Sequence, residues 1–175
     1  MTVRGYHLAQ LNVARPVASL DDPVMADFVG GLARLNALAD NAPGFVWRLQ
    51  DDDGDATALR PFGPDLMVNM SVWTSIELLR EYVYRSAHLD LLRRRREFFV
   101  HAPSEVYTVL WWVPAAHLPT VDEAWQRLET LRTQGPGPDA FTFRAPFPPP
   151  GGAVAGPSSV AARSDGRRTR GSVLG

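Results

Sequence analysis

From residue 5 to residue 13 polar and apolar side chains alternate without a breaker, His7, Ala9, Leu11 and Val13 lying opposite Tyr6, Leu8, Gln10 and Asn12. A period of two over that length predicts a half-buried strand. After Asp22 the period lengthens. Met25, Phe28, Val29, Leu32, Leu35 and Leu38 fall on one helical face behind a cap at Asp22 and a proline at Pro23, and the helix ends near Asn41-Ala-Pro-Gly44. Phe45 to Gln50 is expected as a second strand, with Phe45, Trp47 and Leu49 on one side and Val46 on the other. The run Asp51-Asp-Asp-Gly-Asp55 supplies turn chemistry before a third strand over 66–73.

A second helix opens at Ser75 and continues, with a bend near Ser86, through Leu91 and Leu92 to about Phe99. Val106 to Val113 is a strongly apolar fourth strand, ended by Pro114. Thr120-Val-Asp-Glu123 has capping-box spacing and starts a third helix, with Val121, Ala124, Trp125, Leu128 and Leu131 on one face. Gly135-Pro-Gly-Pro138 stops it, and 140–147 is expected as a short edge strand.

Strand, helix, strand, strand, helix, strand is the order of a ferredoxin-like α+β fold, an antiparallel sheet with helices on one face. Both sides of these strands carry large groups, so a second copy of the chain is the expected cover for the far face. The domain is placed at residues 1–147 and a Pro/Gly/Arg-rich disordered tail at 148–175, where large apolar groups are scarce.

Composition narrows the functions. At 175 residues and 45% hydrophobic content the chain can bury one core. The net charge is −1, but the tail carries Arg163, Arg167, Arg168 and Arg170 against Asp165, which leaves the body near −4 by subtraction. A weakly acidic body does not attract nucleic acid. Cysteine is absent, excluding disulfides, thiolate metal sites and a cysteine nucleophile. All 18 basic residues are arginine, which excludes Schiff-base chemistry and matches a GC-rich bacterial genome. Without a secretory pattern or a run of about 20 apolar residues, a cytoplasmic protein with no membrane partner is expected. There is no glycine-rich phosphate cradle, Gly-x-Ser-x-Gly elbow or His-Glu-x-x-His motif. The aspartate run lacks the distal glutamate of a calcium loop, and His7, His88, His101 and His117 are scattered, so no metal site is expected.

The candidate chemistry gathers late in the fold. Asn69, Ser71 and Trp73 project from one face of the third strand, where an amide could polarise an oxyanion. Tyr84 and His88, four residues apart, share a helical face turned inward, and the imidazole suits proton transfer near neutrality. Trp47, Trp73, Trp111 and Trp112 could wall an aromatic ligand, with Ser71 and Asn12 as polar contacts. A polar network inside packed core, with tryptophans that simply fill space, accounts for the same residues. The arginines from Arg93 to Arg96 point in four directions, so most are solvated or paired, and one could meet an anionic ligand.

Asn69-Met-Ser-Val-Trp73, Tyr84-Arg-Ser-Ala-His88 and Leu110-Trp-Trp-Val-Pro114 together resemble an uncharacterised-domain family of the dimeric alpha-beta barrel superfamily, over roughly residues 4–147. Within that superfamily the pattern is similar to antibiotic biosynthesis monooxygenases. The resemblance implies a homodimer, a cleft between sheet and helices, and cofactor-free oxygenation of an aromatic or polyketide-like small molecule in secondary metabolism. His88, Asn69, Tyr84 and Trp73 would then be the catalytic set, and Trp47, Ser71, Trp111 and Asn12 the substrate contacts. A cyclase or isomerase, or a non-catalytic dimer holding haem through His88 or another metabolite, are the alternatives on the same scaffold.

Overall fold

The computed structural model describes residues 5–85, 93–100, 102 and 105–152. The first strand, β1, spans Tyr6–Pro16, and a 3-10 turn at Pro23–Met25 leads into helix α1 at Ala26–Asp40. The Asp22 carboxylate accepts the Val24 amide at 3.0 Å, as the cap and Pro23 predict. Strands β2 (Phe45–Arg48) and β3 (Met67–Trp73) follow, then helix α2 (Ile76–Arg85), begun by a hydrogen bond from the Leu78 amide to Ser75 Oγ at 3.2 Å. A four-residue helix α3 (Arg95–Phe98), strands β4 (Phe99–Val100) and β5 (Thr108–Pro114), and helix α4 (Val121–Gln134) complete the order.

The sheet is antiparallel, with β1 between β3 and β5 and with β2 beside β3. This is the ferredoxin-like arrangement, with β1 and β3 central and β5 and β2 outside them. Register assigns the faces. Leu8, Gln10 and Asn12 stand level with Trp73, Ser71 and Asn69 on one side and with Trp112, Leu110 and Thr108 on the other. These residues share the near face, toward α1 and α2. Ala9, Leu11 and Val13, level with Val72, Met70, Val68, Trp111 and Val109, form the far face.

The far face is covered from within the chain. Ala124, Leu128 and Leu131 of α4 join Leu11, Val13, Met70, Val72 and Trp111 in one core from which water is excluded, and Trp47, Leu49 and Phe62 pack against it. The reason for expecting a second copy there is removed, because the appended helix buries what a partner would have buried.

Three further expectations change. Phe99–Val100 is not the end of a long helix but a strand paired with Arg15 and Pro16. No strand forms over 140–147, where isolated bridges join Ala140 to Gly137 and Phe141 to Leu110 and the chain otherwise runs irregularly to the prolines. In β2 the pairing slips between Phe45 and Trp47. Phe45 stands level with Trp73 on the near face and Trp47 with Val72 on the far face, since one extra residue reverses the side-chain alternation.

At α4 the capping box is half realised. Thr120 Oγ1 accepts the Glu123 amide at 3.2 Å, while the Glu123 carboxylate turns instead to Trp111 Nε1 at 3.0 Å and His117 Nε2 at 2.7 Å. Helix α4 is thereby tied to the sheet through the buried tryptophan on the far side of β5. No helix among the described residues is long and apolar enough to cross a membrane.

Candidate functional site: a cleft between the sheet and its first two helices

Helix α1 does not lie flush on the sheet. Its N-terminal end is pinned where Met25 and Phe28 meet Met67 and Phe98, and Ala39 is buried near its other end. Between these points Leu32 and Leu35, which the helical period turns inward, stay only half-buried. They roof a cleft of about 500 Å³ whose floor is the near face of the sheet. Apolar faces left uncovered at that scale are usual for a small-molecule site.

The floor is polar along its centre. Gln10, Asn12, Asn69, Ser71 and Thr108 all line it, drawn from β1, β3 and β5, and Trp73 and Tyr82 close one end. Asn12 Nδ2 donates to Thr108 Oγ1 at 2.7 Å, so its amide is oriented by β5. Asn69, opposite Asn12 in the register, makes no side-chain hydrogen bond among the described residues and is exposed into the cleft. The expected buried amide is thus an accessible one.

Ser71 is the centre of a short relay. Trp73 Nε1–H donates to Ser71 Oγ at 2.9 Å, and the Ser71 hydroxyl donates to Gln10 Oε1 at 2.9 Å. Because the Gln10 oxygen is occupied, its amide nitrogen is the group left for the cleft. Trp73 itself is fully buried, with Phe45 edge-on at 5.5 Å and Tyr82 stacked at 5.1 Å. Its indole N–H is committed to Ser71, so it acts here as wall and anchor.

Tyr82 donates its hydroxyl to the Leu35 carbonyl at 3.2 Å, which ties α2 to α1 across the roof. Burial, aided by the nearby Asp40 carboxylate and opposed by Arg48, pushes this phenol up to about 12. It stays protonated near neutrality. Tyr84 lies at the rim, 48% exposed, with its ring edge-on to Phe143 at 5.9 Å. His88 lies outside the described residues.

Three of the four tryptophans expected as walls are elsewhere. Trp47 and Trp111 are on the far face, packed against the α4 core and separated from the cleft by the thickness of the sheet. For Trp111 the reason is plain alternation beside Trp112, and for Trp47 it is the bulge in β2. Trp112 is on the near face, but its Nε1–H binds the Phe147 carbonyl at 2.8 Å and its ring packs with Leu8, Leu110 and Phe141. The cleft therefore gathers Asn12, Asn69, Ser71 and Trp73 with Tyr84 at its edge, and leaves Trp47, Trp111 and Trp112 out.

Gln10 and Thr108 also line the cleft without having been candidates in the sequence, and of the run Arg93 to Arg96 it is Arg95 that reaches the lining. A signal for Gln10 existed, since it alternates with Asn12 on a strand whose opposite face is apolar from Ala9 to Val13. At the rim near α1, Arg48 holds Asp40 through Nε at 2.8 Å and Nη2 at 3.2 Å, and donates from Nη1 to the Gly54 carbonyl at 2.8 Å. The aspartate run behind it is a turn that satisfies itself, with Asp51 Oδ1 accepting the Asp53 amide at 2.9 Å.

Residues 7–156 match the model of a protein family described as "Domain of unknown function (DUF3291)". The chain belongs to this family. No curated protein matches it. Among solved structures it is similar to a mutant of SnoaB, a cofactor-independent oxygenase from Streptomyces nogalater, at 18% identity over 64% of this chain and 95% of that one, TM-score 0.40. NE2512, a protein of unknown function from Nitrosomonas europaea, is similar at 15% identity over 67% and 99%, TM-score 0.42. Rv0793 from Mycobacterium tuberculosis gives 14% identity over 66% and 98%, TM-score 0.38. The segment matched to DUF3291 takes in every residue that lines the cleft, and helix α4 as well.

Proposed function

We propose that this chain is a small-molecule enzyme that holds an aromatic or polyketide-like substrate in the cleft, removes a proton from it and passes the resulting anion to dioxygen without a cofactor. The observation that carries the reading is the row of amides and hydroxyls, Gln10, Asn12, Asn69, Ser71 and Thr108, laid along the floor of the cleft beneath the apolar side chains of Leu32 and Leu35. Donors fixed in a poorly solvated site favour charge developing on a substrate oxygen. Asn69, accessible and opposite Asn12, is the donor for the enolate or phenolate. His88, which the sequence places one helical turn beyond Tyr84, is the base. Trp73 stacks the ring system at the closed end, and Tyr84 borders the opening.

In this scheme the deprotonated substrate gives an electron to oxygen, a ring CH₂ becomes C=O, and the second oxygen atom leaves as water. A homodimer, as the resemblance of the sequence implies, is part of the reading and is checked by light scattering. Oxygen uptake by the purified full chain with hydroxylated anthracenes and naphthalenes tests it. Uptake that is lost in His88→Ala and reduced in Asn69→Ala supports the mechanism. Turnover without oxygen consumption points instead to a cyclase or isomerase, and binding with no turnover at all sinks the enzyme.

A further inference from the structure

Ion pairing around the cleft is uneven. Arg48 is neutralised by Asp40, and Arg94, just before α3, is held by Asp27 at 2.9 Å and Glu97 at 2.8 Å. Arg95 also lines the cleft and is half-buried, yet no carboxylate among the described residues pairs with it. Its guanidinium carbon sits 5.6 Å from the centre of the Tyr107 ring, a contact that holds the group in place without cancelling its charge. Burial lowers its pKa from the ordinary arginine value, with Tyr107 acting the other way. A desolvated cation of this kind is costly to keep unless an anion completes it.

The carboxylate in the cleft lining, Asp55, is not paired with Arg95. Asp55 Oδ1 accepts both the amide of Thr57 at 2.6 Å and its hydroxyl, which commits it to its own turn. The floor of the same cleft carries neutral amides and hydroxyls, of which Asn69 and Thr108 can donate to further oxygens, while the Asn12 amide is held by Thr108 Oγ1 and the Tyr107 carbonyl. Four residues of β3 separate Asn69 from Trp73, which at roughly 3.3 Å per residue is about 13 Å, the length of two or three fused rings with one substituent.

We propose that the cleft is specific for an aromatic carboxylic acid, with the carboxylate bound by Arg95 at one end and the ring system lying along the amide row toward Trp73. A single guanidinium offers its fork to two carboxylate oxygens, and one unpaired cation matches one negative charge better than the two of a phosphate monoester. The inference rests on the reading of the cleft as the ligand site, but not on any oxidation taking place there.

Binding of naphthalene- and anthracene-carboxylates, their methyl esters and naphthyl phosphate to the full chain, followed by titration calorimetry under nitrogen, tests the inference apart from turnover. The acids are expected to bind the wild-type protein roughly tenfold to a hundredfold more tightly than the esters, the range for a charge-assisted hydrogen bond. Arg95→Gln should erase that preference while ester affinity is retained, and Arg95→Lys should restore part of it. Equal binding of acid and ester by the wild type overturns the proposal even where the variants fail to fold. Tighter binding of the phosphate overturns the assigned class. If neither acids nor esters bind, the cleft itself is not the ligand site and both readings fall, whereas acid-selective binding without oxygen uptake removes only the oxygenase.

Discussion

Trp73 and Ser71, two residues apart on one strand, are joined by a hydrogen bond from the indole N–H to the hydroxyl oxygen at 2.9 Å. Same-face neighbours along a strand seldom bond directly, and here the contact is extended by Ser71 donating to Gln10 on the next strand at 2.9 Å. Three polar groups that would each be costly in a closed core satisfy one another, and the relay fixes which end of Gln10 meets the cleft.

Ser71→Ala should therefore leave the Trp73 N–H and the Gln10 carbonyl without partners. A loss of about 1 to 3 kcal/mol is expected in urea denaturation, as for other buried groups deprived of one partner. Asn69→Ala, at an accessible position, should change stability by less than about 0.5 kcal/mol while weakening ligand binding. If Ser71→Ala leaves the unfolding midpoint where it was, the relay is not a source of stability.

Trp111 separates wall from core. It is fully buried on the far face, and its N–H binds Glu123 at 3.0 Å. Trp111→Phe should lower stability by about 1 to 3 kcal/mol through the unpaired Glu123 contact and lost packing, with affinity for cleft ligands unchanged within about twofold. Loss of binding at full stability would return Trp111 to the cleft wall.

Glu123 gives the far side an acid limit. Burial raises its carboxyl, but hydrogen bonds from His117 and Trp111, with electrostatic attraction to His117 and Arg127, together outweigh burial and hold it below its ordinary value. A folded value lower than the unfolded one, about 4.3, makes a contribution that is complete above that pH and disappears as the pH falls through the folded value. The stability gap between wild type and Glu123→Gln should accordingly shrink on acidification from pH 7 toward about 3. A gap that does not vary with pH would show that the carboxylate charge is not what α4 depends on.

Tyr82 behaves oppositely. With its phenol pushed up to about 12 by burial first and by Asp40 second, it favours the folded state below the ordinary phenol value of about 10, and that contribution is lost as the pH rises toward the folded value. Tyr82→Phe, which removes the 3.2 Å bond to Leu35, should cost about 0.5 to 1.5 kcal/mol at neutral pH. The difference in ultraviolet absorbance between the two proteins should show no phenolate from Tyr82 at about pH 10. An ordinary titration there would mean that the roof of the cleft is open to water.

The elements whose signals are local could be read from the chain alone. Alternation through Tyr6 to Asn12, the caps at Asp22 and Thr120, and the polar row of Asn69 and Ser71 each follow from residues within a turn or a strand of one another, and the ferredoxin-like order follows from them. Only the tertiary structure decided which face each tryptophan joined, because one extra residue in β2 reverses Trp47 and no local pattern marks the slip. It alone showed that α4 covers the far face, since that depends on where a helix from residues 121–134 docks on strands far earlier in the chain. It also picked Arg95 out of four consecutive arginines, because whether a cation is paired is a matter of which carboxylates arrive beside it in space.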